Sequence, residues 1–144
     1  MAVTLCGVGC TPGDTSESAL PPVTAPATPT TADDRPYPGP RDLMAKVKTT
    51  NGLTWTFCDD RVHTDMYGNE TFRCTADDSE VITFTWTEQK QLVGNLGVQT
   101  TGQAVVIGDR WHVVCAVYEV CQAIAPTLGG RAELAADALA DRAG

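Results

Sequence analysis

Apolar and polar positions alternate with a period of two through much of the chain's second half. In "GLTWTFC", Leu53, Trp55 and Phe57 fall on one side and Thr54 and Thr56 on the other, the signature of a half-buried strand. "ETFRCT" repeats the pattern with Phe72 and Cys74 inward, and "VITFTW" puts Ile82, Phe84 and Trp86 on one face. The breaks between these runs are turn-rich, with Gly-Asn in "DMYGNE" and Asp-Asp-Ser at 77–79. The sharpest signal is "QAVVIGDRWHVVCAV". Two apolar strands flank Gly108-Asp109, which predicts a two-residue hairpin turn. Its second strand has Trp111, Val113, Cys115 and Val117 on one face and Arg110, His112 and Val114 on the other.

Between and after these strands the period lengthens. "TEQKQLVGNLGVQ" predicts a short helix with Thr87 as N-cap, Leu92, Val93 and Leu96 inward, and Gly97 as terminator. "YEVCQAIAPTLGG" is apolar at Val120, Cys121, Ile124 and Leu128 and stops at Gly129-Gly130, again helical. "RAELAADALADRA" predicts an Ala-rich acidic helix with a narrow stripe at Leu134, Ala138 and Leu139. The short segment Asp42–Val47 suits a helix or an entry strand. The expected class is α+β, in the order β-β-β-α-β-β-α-α, with a small antiparallel sheet and its helices packed on one face.

Composition confines this fold to residues 43–144. Of the nine prolines, Pro12, Pro21, Pro22, Pro26, Pro29, Pro36, Pro38 and Pro40 precede residue 41, spaced by Thr, Ala, Ser and Asp. A segment so poor in large apolar groups cannot offset its ordering entropy, so 11–42 is expected to be a disordered tether. The net charge is −8, and the ten Lys and Arg are scattered. That excludes the basic stripe by which nucleic-acid binders displace counterions.

Six cysteines fall into two groups. Cys58, Cys74, Cys115 and Cys121 lie in the predicted domain, at spacings C-x15-C and C-x5-C that lack the C-x2-C pairs of structural zinc sites. Two disulfides in an oxidising compartment are the expectation. Four cysteines allow three pairings. Cys58–Cys74, flanking one loop, with Cys115–Cys121 is favoured, and spacing leaves the other pairings open.

Cys6 and Cys10 precede the tether. Gly7-Val8-Gly9-Cys10, followed at once by Thr11-Pro12-Gly13-Asp14, resembles the end of a bacterial lipoprotein signal, in which the cysteine is lipidated and becomes the new N-terminus. Residues 1–10 are then a truncated signal segment and Cys10 the lipid anchor. Gly7 stands where such boxes usually have Leu, and no positively charged stretch precedes it; a true start upstream of Met1 accounts for both.

The stretch from Cys74 to Gly130 also resembles small exported proteins and lipoproteins of actinobacteria, and of phages infecting them, that lack an assigned activity. The likeness rests on Cys74 ending a strand, "VITFTW", the hairpin "VVIGDRWHVV" and the helix ending "LGG". It implies an exported domain and no particular chemistry.

Candidate chemistry is sparse. Asp59, Asp60, His63 and Asp65 cluster in "CDDRVHTD", a donor set that suits a divalent cation without matching any loop motif. Ser79 lies in a turn without a G-x-S-x-G context, which argues against a serine hydrolase. "GVGCTPG" follows no strand and has Pro12 at the third glycine position, so it is no dinucleotide fingerprint, and no cofactor is expected. Arg110 and His112 share the strand face away from Trp111 and are the candidate contact surface. The function expected is therefore non-enzymatic. It is a lipoprotein held outside the cytoplasmic membrane by a lipid on Cys10, binding a protein or envelope component, and in a phage or prophage setting acting in superinfection exclusion. The alternative is a small secreted cation-binding protein or enzyme using the "CDDRVHTD" loop.

Overall fold

The computed structural model describes residues 35–99 and 102–143, all within one folded unit that begins at Arg35. Cys10, the signal-like segment and the expected tether up to residue 34 lie outside the described residues. The sequence pattern places the tether over 11–42, but within 35–42 the chain is folded. Tyr37 sets its ring edge-on against Trp111, with centroids 5.8 Å apart, and Pro40 opens a helix, α1 (Pro40–Val47). Proline suits a first helical position because its missing N–H would be unpaired there anyway. Asp42 in the first turn and Lys46 in the last complement the helix dipole. Leu43, Met44 and Val47 then form one buried stripe.

Among the described residues seven strands follow, forming one antiparallel sheet: β1 (Trp55–Cys58), β2 (His63–Thr64), β3 (Glu70–Ala76), β4 (Ser79–Thr85), β5 (Ala104–Gly108), β6 (Trp111–Cys115) and β7 (Ala132–Leu134). Their order is β1-β3-β4-β6-β5-β7, with β2 paired to β3 beside β1. Helices α2 (Gln89–Leu96), α3 (Tyr118–Leu128) and α4 (Ala135–Ala143) complete the unit. The α+β class and the antiparallel sheet are as the pattern predicted.

The helices, however, cover both faces of the sheet. Helices α1 and α3 bury Phe72, Cys74, Val81, Val106, Trp111, Val113 and Cys115 on one face. Helices α2 and α4 bury Phe84, Trp86, Val105 and Val114 on the other. The reason is visible in β5 and β6, where Ala104–Val106 and all of Trp111–Cys115 are buried, so both side-chain rows need a cover.

Other departures have local causes. A bulge between Trp55 and Phe57 shifts the phase of β1. Phe57 was expected to point inward; its partner is Thr75, on the non-core row of β3, and its side chain is 58% exposed. The same shift brings Cys58 directly opposite Cys74. The hairpin turn between β5 and β6 is Asp109-Arg110, not Gly108-Asp109, because Gly108 pairs with Trp111 and stays in the strand. Arg110 takes the left-handed conformation at φ 62°. The N-cap of α2 is Glu88 instead of Thr87, closed reciprocally with Gln91 in a capping box. Residues 132–134, expected as helix, add a short strand to the β5 edge before α4 starts.

The indole of Trp111 lies against Gly108. A β-carbon at 108 would sit 2.1 Å from Trp111 Cε2. Gly108→Ala is expected to lower stability by about 2 kcal/mol, as an overpacked core site does. Thermal unfolding of the variant checks this, and an unchanged midpoint would refute it.

Both favoured disulfides are present. Cys58–Cys74 crosses adjacent strands with Cα atoms 4.0 Å apart. Cys115–Cys121 ties the end of β6 to the first turns of α3 with Cα atoms 5.6 Å apart.

Candidate functional site

The second sheet face is only half covered. Helices α2 and α4 lie over β4, β6 and β5, while the outward rows of β1 and β3 carry Phe57, Thr71, Arg73 and Thr75 without a helix above them. Arg73 is paired across the strand with Ile82 and makes ion pairs with Glu80 (3.1 Å) and Asp59 (3.4 Å). The hydrogen bond to Glu80, followed by the charge of Asp59, raises the guanidinium above its ordinary value, so its charge is fixed.

Where this open half meets α2 there is a groove of about 440 Å³. Ile82 and Phe84 form its floor; Met66, Tyr67 and Val98 form its walls; Asn95 and Gln99 supply polar edges. Met66 and Val98 are 84% and 56% exposed, so apolar side chains open to solvent adjoin an apolar floor. The Met66 wall is positioned by a tight turn at 65–69. Asp65 Oδ1 accepts from the backbone N–H of Tyr67 and Asn69, Asp65 Oδ2 accepts from the Asn69 side chain, and Gly68 takes φ 88°. The Tyr67 ring packs on α2 at Gly94, where a β-carbon would meet Tyr67 Cδ1 at 2.5 Å. Gly94→Ala is therefore expected to push Tyr67 aside and distort the groove while slightly favouring the helix. The check is a solvent-perturbation or fluorescence change at Tyr67, and an unmoved tyrosine signal would refute it.

Beneath the floor lies a polar layer. His112 is fully buried, stacked on Phe84 with ring centroids 4.3 Å apart and planes 6° apart. Trp86 Nε1 donates to His112 Nδ1 at 3.0 Å, which leaves the proton on Nε2; that nitrogen donates to Asn95 Oδ1 at 2.7 Å. The same Asn95 oxygen accepts from Gln99 Nε2 at 3.0 Å. Burial pushes the imidazole down to about 3, so it is neutral at physiological pH. The chain of bonds runs from the sheet through His112 into α2 and fixes the Asn95 edge of the groove.

The contact surface expected at Arg110 and His112 is corrected at His112, which is fully buried. Alternation did place His112 on the face of Val114, but α2 and α4 cover that face, so His112 is an internal strut. Arg110 sits in the hairpin turn and grips Asp109 with two bonds of 3.0 and 3.1 Å, which lower the Asp109 carboxyl below the ordinary range.

The "CDDRVHTD" quartet is not brought together. Asp59 faces Arg73 and, at 3.9 Å, His63; Asp65 is spent on its own turn; Asp60 is exposed, and its backbone carbonyl accepts from Arg41. Among the described residues no group of three or more His, Cys, Asp or Glu side chains could hold a metal ion. Asp77 is likewise structural, since its Oδ1 accepts from the Thr54 N–H at 2.8 Å. The residues that sequence reasoning missed are Trp86 as a donor, Asn95 and the groove walls. The available signal was a polar residue, Asn95, three positions after Leu92 on the inward face of α2.

Fold and site together define a class: a disulfide-linked α+β domain with a two-sided antiparallel sheet and one open half-face carrying a partly apolar groove. Comparison with known protein families, curated proteins and solved structures finds no match to this chain. No helix among the described residues is long and apolar enough to cross a membrane.

Proposed function

We propose that this protein is a non-enzymatic binding module of the cell exterior, engaging a protein or envelope component through the open half-face and its groove. The observation that carries this is the exposed apolar wall of Met66 and Val98 beside the floor of Ile82 and Phe84, a surface that costs free energy unless a partner covers it. Two disulfides support an oxidising compartment. Within this proposal Cys10 carries the lipid that holds the domain at the membrane; a diacylated cysteine anchors stably where a single chain does not. For a phage-encoded copy the same architecture suits superinfection exclusion, by occupying a surface receptor or blocking genome entry.

Two experiments separate the parts of the proposal. Intact mass of protein recovered from its host reports cleavage before Cys10, the acyl groups and the disulfides together; full-length unmodified protein with free thiols would overturn the anchored, exported reading. A photo-crosslinking residue at position 98 is expected to capture one discrete envelope species, and Ile82→Lys is expected to abolish the capture. The same probe at exposed Glu119 serves as control, and equal capture from both positions would overturn the assignment of the face. Superinfection exclusion predicts fewer infections by at least one phage on expressing cells, with wild-type infection restored by Ile82→Lys; unchanged infection by every phage tested would remove that form.

A further inference from the structure

The sheet has two ends, and they differ. At one end the β1 edge is broken by the bulge between Trp55 and Phe57, a feature that discourages another strand from pairing there. At the other end β7 is regular and, among the described residues, pairs only on its inner side, with β5. The N–H of Ala135 donates to the Gln103 carbonyl at 2.9 Å, and Val105 is in register with Glu133. In an antiparallel ladder the inward- and outward-facing residues alternate, so the backbone of Glu133 faces β5 while the N–H groups of Ala132 and Leu134 face the open edge.

A groove of about 580 Å³ runs along this edge. Tyr118 and Leu134 line it, Leu134 being 40% exposed, together with the carboxylates of Glu133, Asp137 and Asp141. Asp137 and Asp141 are one turn apart on α4, so the two acids continue the line begun by Glu133. Among the described residues none of these three carboxylates has an ion-pair partner. Among the described residues Arg131, just before β7, is the one cation lining the groove.

We infer that the β7 edge is a second binding site, which accepts an extended, lysine- or arginine-bearing peptide segment by strand addition. The two outward N–H groups hold the peptide backbone, Tyr118 and Leu134 take its apolar side chains, and the acidic row takes its cations. Alternating side chains of an added strand point to opposite faces, so a peptide of alternating cationic and apolar residues satisfies both sides at once. Arg131 limits the cations to the part of the groove from Glu133 onward. The site lies at the opposite end of the sheet from the open half-face, so it stands or falls independently of the proposed function.

The test uses the full chain and two soluble eight-residue peptides, one alternating Lys and Val and one alternating Glu and Val. Amide shifts in a two-dimensional NMR titration, with hydrogen exchange, are the readout. The Lys-Val peptide is expected to shift and protect the amides of Ala132 and Leu134, to bind more weakly as salt is raised, and to bind at least tenfold more weakly to the triple variant Glu133→Gln, Asp137→Asn, Asp141→Asn. Ala132→Pro, which removes one outward N–H, is expected to weaken binding further, with its thermal unfolding recorded to establish that it folds. Equal binding of the Glu-Val peptide, shifts scattered away from β7, unchanged affinity in the triple variant, or no binding at millimolar peptide would each overturn the inference.

Discussion

Reduced of both disulfides, the domain is expected to be largely unfolded at 25 °C and neutral pH. The Cys58–Cys74 bridge closes a separation of 16 residues and Cys115–Cys121 one of 6. In the chain-entropy account the first contributes about 3 kcal/mol and the second about 2 kcal/mol, by restricting the unfolded chain. A folded unit of this size has only about 5–10 kcal/mol to lose. Packing adds to the loss, because Cys74, Cys115 and Cys121 are fully buried and their sulfurs fill the α1/α3 side of the core. The measurement is urea unfolding of the oxidised protein, of Cys58→Ala/Cys74→Ala, of Cys115→Ala/Cys121→Ala, and of all four together. Each pair is expected to lower the midpoint, the pair at 58 and 74 by more. A quadruple variant with the wild-type midpoint would refute the account, and would also remove the main support for an oxidising compartment.

The second large effect is acid lability centred on His112. In the folded protein burial holds its pKa at about 3, against about 6.5 when unfolded. Between these values the unfolded chain binds a proton that the folded chain does not, so stability rises with pH across this window. Conversely, the contribution is complete above about pH 6.5 and drains away as pH falls towards 3, at up to about 1.4 kcal/mol per pH unit. A protonated imidazole would present N–H to N–H against Trp86 Nε1 and place a charge under Phe84, which is why the site resists it. Urea unfolding at pH 7.5 and pH 4.5 is expected to show a loss of roughly 2–3 kcal/mol assignable to this residue. His112→Gln keeps a possible acceptor for Trp86 and a donor for Asn95, and it is expected to be less stable at pH 7.5 yet to lose less on acidification. Every other group is common to both proteins, so the difference between the two pH dependences isolates the imidazole. Identical dependences would refute the prediction.

These effects come from different levels of the chain. Cysteine spacing was enough to favour the two pairings, because a strand partner and a nearby helix turn are both short excursions along the sequence. The strut at His112 was half legible. Alternation put it on the face of Val114, but whether that face meets water depends on α2 and α4, which come from residues 89–96 and 135–143. The groove was illegible, since Met66, Ile82 and Val98 belong to a turn, a strand and the end of a helix that no local period relates.

Sequence alone determined the periods: strands at Phe72–Cys74, Ile82–Thr85, Val105–Ile107 and Trp111–Cys115, the α3 helix stopped by Gly129 at φ 75°, and an antiparallel α+β class. Those outcomes follow from side-chain direction and backbone sterics within a few residues. Tertiary structure alone decided which faces are covered, where phase is lost and which polar groups meet. The bulge in β1 exposed Phe57 to let Cys58 face Cys74. The residues at 132–134, Ala-rich in context and helical by pattern, became a strand because the β5 edge offered them backbone partners that a first helical turn lacks. Burial and hydrogen-bond satisfaction are properties of the packed whole, and they overrode local preference at each of these places.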